Sequence, residues 1–189
     1  MNSTPCVKEL DAGVFAIENF LSAQECARCI ALGDEIGYAP SEVDFPTGAR
    51  RAEEIRNNDR VILHNPALAQ ALFERACPFL PTDIEGWTLH GLNQRLRYYR
   101  YVPGQYFKWH KDGIVAQSGA VESRLTFMIY LNDGFEGGDT QFRKGAVKPQ
   151  AGAALVFPHK TTHQSAPMVA GTKYVLRTDV MYEDQGTTP

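Results

Sequence analysis

From residue 87 onward, short runs of β-branched and aromatic residues alternate with turns rich in Gly, Pro and Asp. These runs are WTLHGLNQRLRYYRY, QYFKWH, SRLTFMIYL, DTQF, AVKPQ, AALVFP and KYVLRTDVMY. About seven or eight short strands at such close spacing predict a sandwich, a barrel or a jelly roll. This pattern constrains the fold more than any other feature of the chain.

The earlier part of the chain contains two helical patterns. Ser22 and Glu25 occupy capping-box positions ahead of an amphipathic stripe. The same stripe carries Cys26 and Cys29, so we interpret this Cys-x-x-Cys as buried helix surface and not as a redox motif. A second helix is predicted after Asn65, because a proline follows this N-cap at the first helical position.

Together these patterns predict one α+β domain in which helices pack against an antiparallel double sheet. Residues 1–86 form the helical support region and residues 87–184 form the β-rich core. Between the two helices, residues 38–58 are polar and read as a long loop. We hypothesise that residues 39–58 are a mobile lid over a substrate, with a disordered surface loop as the alternative.

Composition excludes several classes of function. The net charge of −3 and the pI near 5.9 predict no general attraction to nucleic acid or to an anionic membrane. No apolar run approaches the roughly 20 residues of a membrane span, and the first residues lack a signal-peptide pattern. We therefore expect a cytoplasmic protein with no nucleic-acid and no membrane partner.

A histidine and an aspartate stand one residue apart in YFKWHKDG, residues 106–113. Successive strand residues point to opposite faces, so His110 and Asp112 are predicted to share a face. The two side chains could bind a metal, form a hydrogen bond with each other or be solvated. His159 and His163, both in FPHKTTHQSAP, are the candidates for a third ligand.

Two histidines and one carboxylate form the facial triad of non-haem Fe(II) oxygenases, which leaves coordination positions open. A structural zinc site would need four protein ligands, and no convincing fourth ligand is visible. A 2-oxoacid could fill two open positions and leave one for dioxygen, and its distal carboxylate would need a buried cation. Lys173 and Arg177 alternate onto one face of the predicted strand GTKYVLRTD and could supply it.

Three stretches resemble the Fe(II)- and 2-oxoglutarate-dependent dioxygenases of the prolyl 4-hydroxylase type. They are RYYRYVPGQYFKWHKDG, SRLTFMIYLNDGFEGGDTQF and HQSAPMVAGTKYVLRTDVMY, and the resemblance covers roughly residues 90–183. It implies a double-stranded β-helix, or jelly roll, with the N-terminal helices packed against the major sheet. It also implies Fe(II) as cofactor, 2-oxoglutarate and dioxygen as co-substrates, and L-ascorbate as an optional reductant.

Carried over by position, the resemblance implies that His110, Asp112 and His163 bind the iron. Lys173 stands ten residues after His163 and matches the cation that pairs with the distal carboxylate of 2-oxoglutarate. Tyr101 matches the tyrosine that lines the co-substrate pocket, with a core aromatic as the alternative. No catalytic residue beyond the iron site is implied.

Other polar residues are assigned to the surroundings of this site. Arg177 is a second cation of the co-substrate region, serving the substrate end or a buried ion pair with Asp179 or another acid. Arg124 falls where prolyl hydroxylases place a substrate-side arginine, or is a charge at a strand edge. Asn57 and Asn58 offer donors to a substrate from the predicted loop.

The predicted function is hydroxylation of an unactivated C–H bond, most simply in an amino-acid residue of a peptide or protein. Asp179 and Met181 replace an aromatic and a basic residue that touch peptide in prolyl hydroxylases. The same chemistry on a free amino acid or small metabolite is therefore an alternative. A metal-binding jelly-roll module without turnover is a second alternative.

Overall fold

A computed structural model of the protein describes residues 4–186. Its helices are α1 (Ala23–Ile36), α2 (Pro66–Ala76) and a short 3-10 turn (Cys77–Phe79). The first strands are β1 (Cys6–Asp11), β2 (Val14–Glu18), β3 (Ala39–Pro40), β4 (Val43–Phe45), β5 (Gly48–Arg50), β6 (Asp59–His64), β7 (Asp83–Ile84), β8 (Trp87–Leu92), β9 (Arg95–Tyr101) and β10 (Phe107–His110). The later strands are β11 (Ala116–Ser118), β12 (Val121–Tyr130), β13 (Glu136–Gly137), β14 (Thr140–Phe142), β15 (Gly145–Val147), β16 (Ala154–Pro158), β17 (His163–Ser165), β18 (Met168–Ala170) and β19 (Lys173–Asp184).

Two antiparallel sheets form the β-rich core. The major sheet has 11 strands in the order β1-β2-β16-β12-β19-β9-β6-β3, with β7, β8 and β11 attached to its side. The minor sheet has four strands in the order β10-β17-β14-β15. Tyr101, Phe157 and Val175 of the major sheet pack between the sheets against Phe107 and Phe142 of the minor sheet. The predicted jelly roll is confirmed.

The two helices cover the outer face of the major sheet, as predicted. Cys26 and Cys29 of α1 and Leu72 of α2 belong to one buried cluster with Leu96 and Phe127 of the sheet. Burial raises the pKa of the Cys29 thiol to about 11, so this thiol stays protonated and behaves as a small apolar side chain. The interpretation of Cys-x-x-Cys as helix surface is therefore confirmed.

Both predicted helix starts are present. The hydroxyl of Ser22 accepts from the backbone N–H of Glu25 at 3.3 Å, and the Glu25 carboxylate accepts from the Ser22 N–H at 2.8 Å. Asn65 Oδ1 accepts from the N–H of Leu68 at 3.0 Å, and Pro66 follows this cap at the first helical position. These contacts satisfy amide groups that a helix start leaves without partners.

Residues 38–58 are more regular than the predicted loop. Strands β4 and β5 pair as a hairpin around Pro46 and Thr47, with Phe45 opposite Gly48. Gly48 adopts a φ of 110°, which a glycine tolerates and other residues avoid. The expectation of a plain loop is therefore wrong over residues 43–50, because a short turn let local strand pairing form.

Strand β19 runs through the middle of the major sheet and separates two environments. Val175 contributes to the cluster between the sheets, whereas the next residue, Leu176, contributes to the cluster beneath the helices. Alternation along the strand therefore turns Lys173 and Arg177 toward the interior of the jelly roll.

Within residues 4–186, no helix is both long enough and apolar enough to cross a membrane. The division of the domain at residue 86 stays a prediction.

Candidate metal centre

Two histidines face each other on neighbouring strands at the mouth of the jelly roll. His110 ends β10 and His163 begins β17, and the two residues are direct partners in the antiparallel register. His110 Nε2 lies 3.6 Å from Asp112 Oδ1, and His163 Nε2 lies 3.7 Å from Asp112 Oδ2. One ligand atom from each of the three residues lies within 4.8 Å of the others. The structure therefore brings together the three residues that the sequence singled out.

Backbone carbonyl groups orient both imidazole rings. His110 Nδ1 lies 2.7 Å from the carbonyl oxygen of Lys108, and His163 Nδ1 lies 2.9 Å from that of Thr161. A carbonyl oxygen can only accept, so Nδ1 carries the proton and donates, which leaves the Nε2 lone pair facing the other two ligands. In metal sites, a hydrogen bond from the ring nitrogen that does not bind the metal holds each histidine ligand in its orientation.

The protonation states also suit a cation. Burial lowers the pKa of His163 to about 4, so this ring is neutral near pH 7. Burial opposes ionisation of Asp112, but Arg177 and the two imidazoles outweigh it and hold the pKa of Asp112 well below its usual range. Two imidazoles and one carboxylate fit an open Fe(II) site, whereas a structural zinc site would be closed by a fourth ligand.

Asp112 reaches the cluster in a different way from the one predicted. Strand β10 ends at His110, so Asp112 lies beyond the strand and does not share a strand face. Its backbone N–H donates to the carbonyl oxygen of His159 at 3.0 Å, which anchors the segment after the strand. Its side chain accepts from Thr126 Oγ1 at 2.5 Å and pairs with Arg177 Nη2 at 3.0 Å. The position of Asp112 thus depends on tertiary contacts and not on strand alternation.

The rejected candidate, His159, is buried behind the cluster. Its Nδ1 lies 2.9 Å from Thr126 Oγ1 and its Nε2 lies 2.8 Å from Ser123 Oγ. Burial lowers the pKa of His159, and both ring nitrogens already have partners. Sequence reasoning found neither Thr126 nor this role of His159. The available signal was the alternation of residues along β12, which turns Thr126 toward the space between the two sheets.

A narrow cavity of about 30 Å³ lies between the sheets beside the histidines. Tyr101, Thr126, Lys173, Val175 and Arg177 are among the residues that line it. Lys173 and Arg177 therefore face the same cavity with Val175 between them, as the strand pattern predicted.

Lys173 is a fully buried amine. Its Nζ donates to the carbonyl oxygen of Gly138 and to Ser165 Oγ, the latter at 3.0 Å. It also lies 5.1 Å from the centre of the Tyr101 ring, directly across from it in the β9–β19 register. Burial lowers the pKa of Lys173 to about 7, while Asp139 acts in the opposite direction. The side chain is therefore an amine that is partly protonated near pH 7 and is held in place by neutral oxygen atoms.

Arg177 is engaged with acids. Its Nη2 lies 3.0 Å from Asp112 Oδ1 and 3.5 Å from Asp179 Oδ1. The other oxygen of Asp179 accepts from Arg97 Nη1 at 2.9 Å and from Asn93 Nδ2 at 3.0 Å. The sequence left two roles open for Arg177, contact with the substrate end or a buried ion pair, and the structure shows the buried ion pair.

Arg124 lies at a second cavity, which has a volume of about 520 Å³, a mainly apolar lining and contact with Asp112. The Arg124 guanidinium stacks 4.1 Å from the centre of the Trp87 ring. It pairs with Glu122 at 3.0 Å and with Glu85 at 3.4 Å. Arg124 therefore lines the same cavity as Asp112, and its charge is balanced by the two glutamates.

Asn57 and Asn58 do not present free donors. Asn58 is 0% exposed, accepts from Arg56 Nε and Nη2, and donates to the carbonyl oxygen of Asp59. Asn57 Oδ1 accepts from the N–H of Tyr106 at 2.8 Å. The Asn57 side chain fastens the segment after the hairpin to the chain leading into β10, whereas the Asn58 side chain bonds only within its own segment. The expectation that Asn58 contacts substrate is therefore corrected, since its amide is consumed by internal hydrogen bonds.

Part of the β-rich core matches a known protein family. Residues 96–178 match the model of the 2OG-Fe(II) oxygenase superfamily. "Probable prolyl 4-hydroxylase 3" of Arabidopsis thaliana is 26% identical over 85% of this chain and 66% of its own length. "Prolyl 4-hydroxylase 1" of the same plant is 25% identical over 82% of this chain and 61% of its own length. The chain thus spans less than two thirds of the length of these relatives.

Solved structures show the same fold. A viral collagen prolyl hydroxylase from Paramecium Bursaria Chlorella virus-1 is 22% identical, with a TM-score of 0.64 over 90% of this chain and 96% of that chain. A prolyl hydroxylase from Trichoplax adhaerens, in complex with a hypoxia inducible factor peptide fragment, is 17% identical, with a TM-score of 0.66 over 92% of this chain and 84% of that chain. The resemblance inferred from the sequence motifs is confirmed.

Proposed function

We propose that this chain is a 2OG-Fe(II) oxygenase similar to the prolyl 4-hydroxylases, an enzyme that hydroxylates an unactivated C–H bond. The observation that carries the proposal is the open cluster of His110, Asp112 and His163 beside a cavity that ends at the buried Lys173. Its co-substrates are 2-oxoglutarate and dioxygen. The reaction consumes both with the substrate R–H and yields succinate, carbon dioxide and R–OH, which balances all atoms.

The three clustered residues would hold Fe(II) through the two Nε2 atoms and the Asp112 carboxylate. When bound, Fe(II) supplies the redox chemistry that activates dioxygen. The chain supplies the geometry, since Lys108 and Thr161 orient the rings and Arg177 keeps the carboxylate ionised. L-ascorbate as a reductant belongs to this proposal and is supported by the family resemblance alone.

Lys173 would bind the distal carboxylate of 2-oxoglutarate. An ammonium that contacts only neutral oxygen atoms gains a charge-assisted hydrogen bond when a carboxylate replaces the Gly138 carbonyl. Because the cavity measures about 30 Å³, we expect Lys173 and its neighbours to shift when the co-substrate enters. Tyr101 would line the same end of the pocket with the face of its ring. The apolar walls exclude water, which strengthens the ion pair.

The proposed substrate is an amino-acid residue, most simply proline, in a peptide or protein. Support comes from the named activity of the curated relatives and from the peptide complex of the Trichoplax adhaerens structure. The cavity of about 520 Å³ beside Asp112 offers apolar surface of the kind a proline ring would contact. The cytoplasmic location inferred from the sequence stays a prediction.

A free amino acid or small metabolite is the second candidate substrate. It is favoured by Asp179, which is fully buried and accepts hydrogen bonds from Asn93 and Arg97, at a position where the family resemblance implies a residue that touches peptide. Loss of that contact removes one reason to expect an extended peptide.

One assay separates these readings. The protein is incubated in air with Fe(II), 2-oxoglutarate and matched panels of proline-containing peptides and free amino acids. Succinate and hydroxylated product are measured by mass spectrometry, with His163→Ala as the control that lacks a metal ligand. We expect succinate and hydroxylated peptide to form in equal amounts. Hydroxylated amino acid alone would select the metabolite reading, and no succinate in either panel would support a non-catalytic module.

A further inference from the structure

An unbroken line of hydrogen bonds leads away from Asp112 into the major sheet. Asp112 Oδ2 lies 2.5 Å from Thr126 Oγ1, which lies 2.9 Å from His159 Nδ1. His159 Nε2 lies 2.8 Å from Ser123 Oγ, and the Val115 N–H donates to that oxygen at 2.8 Å. Thr126, Ser123 and His159 are all almost completely buried. Water therefore does not compete for these bonds.

The direction of every bond in this line follows from proton counting. An ionised Asp112 can only accept, so the one hydroxyl proton of Thr126 points to it. The Thr126 oxygen must then accept, which places a proton on His159 Nδ1. A neutral ring leaves Nε2 as an acceptor, which takes the proton of Ser123. The Ser123 oxygen in turn accepts from Val115, so the five groups are satisfied in one arrangement.

From this geometry we propose that His159 is a positioning residue for the metal ligand Asp112, acting through Thr126, and that it raises the affinity of the site for divalent metal. This inference rests on the proposed iron site. Asp112 needs such support because it lies beyond the end of β10, where no strand ladder fixes it. Thr126 holds one carboxylate oxygen and Arg177 holds the other, so the plane of the carboxylate is set from two sides.

The line of bonds also explains why His159 is present at all. A buried imidazole costs free energy unless both nitrogens are paired, and an apolar side chain would avoid that cost. The ring connects Ser123 with Thr126, two residues of the same bulged strand, through one hydrogen bond to each hydroxyl group. Partners of this kind, one bond removed from a metal, change metal affinity by about 10–100-fold when they are replaced.

The test is titration of the metal-free protein with Co(II), followed by its visible absorption. Thr126→Val removes the hydroxyl at nearly constant shape and should raise the Co(II) Kd by about 10–100-fold. Thr126→Ser restores the hydroxyl and should return the Kd close to that of the parent protein. His159→Leu should raise the Kd in the same direction, and His159→Asn, whose amide can donate toward Thr126, should recover most of the loss.

A double variant separates positioning from a general effect on folding. If His159 acts through Thr126, adding His159→Leu to Thr126→Val should not raise the Co(II) Kd further. Thr178→Val is the matched control, because it removes another buried threonine hydroxyl. That hydroxyl donates to the Asn93 carbonyl oxygen at 2.6 Å and takes no part in the line of bonds to Asp112. It should lower the thermal stability without changing the Kd.

Three outcomes would overturn the inference. One is an unchanged Kd in folded His159→Leu, and the second is an additive effect of the two substitutions. The third needs no variant: ¹⁵N NMR of the parent protein must find the His159 proton on Nδ1, and a proton on Nε2 contradicts the bond directions. A parent protein that does not bind Co(II) would overturn the proposed iron site itself, which is a distinguishable failure.

Discussion

Lys173→Met is the substitution whose consequences the structure specifies most fully. The side chain is 1% exposed, and methionine keeps most of its length and volume while removing the charge. The variant should lose affinity for 2-oxoglutarate, because the distal carboxylate loses its only proposed cationic partner. It should also become more stable, because a buried amine carries a cost in the ligand-free protein.

The magnitudes follow from two separate quantities. Removing one partner of a buried charged contact costs about 2–5 kcal/mol, which corresponds to roughly 30–3,000-fold in affinity. Burial lowers the pKa of Lys173 from 10.5 to about 7, and at about 1.4 kcal/mol per pKa unit the native state loses roughly 5 kcal/mol. In Lys173→Met the Gly138 carbonyl loses its donor, which destabilises the variant by about 1–3 kcal/mol and offsets part of the gain from removing the buried amine. The net gain in the free energy of unfolding is therefore about 2–4 kcal/mol at pH 7.

The sign of the pH dependence follows from the lowered pKa. Between pH 7 and the unfolded value of 10.5, the unfolded chain binds more protons at Lys173 than the native protein does. Stability from this group therefore rises with pH across that window, and Lys173→Met should lack the rise. Binding of 2-oxoglutarate has the opposite trend, because it needs the ammonium form. Its Kd in the parent protein should increase as pH climbs above about 7.

The assay is calorimetric titration of 2-oxoglutarate into Mn(II)-loaded protein, together with thermal unfolding of the metal-free protein between pH 7 and 9. Lys144→Met is the matched control, because Lys144 is exposed and its substitution should change neither the Kd nor the stability. A gain of 2–4 kcal/mol corresponds to about 4–16 °C in Tm for a chain of this size. An unchanged 2-oxoglutarate Kd in Lys173→Met, with a defect in Arg177→Met instead, would refute Lys173 as the anchor. A lowered Tm would refute the burial argument.

Three further predictions concern the surroundings of the site. His163→Ala should abolish stoichiometric Fe(II) binding and succinate formation together, and metal binding that survives this change would exclude His163 as a ligand. Arg177→Met should lower thermal stability, because it leaves Asp112 and Asp179 buried with one charged partner fewer, at a cost of about 3–5 kcal/mol, and an unchanged Tm would contradict this. Deleting residues 44–50, which removes most of the β4–β5 hairpin, should raise the substrate KM while uncoupled 2-oxoglutarate decay continues; unchanged substrate kinetics would contradict the lid hypothesis.

Local sequence was sufficient for the features that short-range physics decides. The capping box of Ser22 and Glu25 starts α1 because both hydrogen bonds close within one turn. The strand-rich composition after residue 87 predicted a double sheet, and strand alternation placed Lys173 and Arg177 on one cavity. These relations depend on residues at most a few positions apart, so the order of the amino acids determines them.

Tertiary structure decided the features that depend on strand register. Residue order alone left His159 and His163 as alternatives, and the pairing of β10 with β17 sets His163 against His110. The same assembly places Thr126 and Arg177 on Asp112. Such contacts join residues that are distant in the chain, and a shift of one position in register would turn each side chain to the opposite face. The sequence alone therefore determined most of the elements and the candidate ligands, and only the packed sheets determined which histidine completes the cluster and how each ligand is supported.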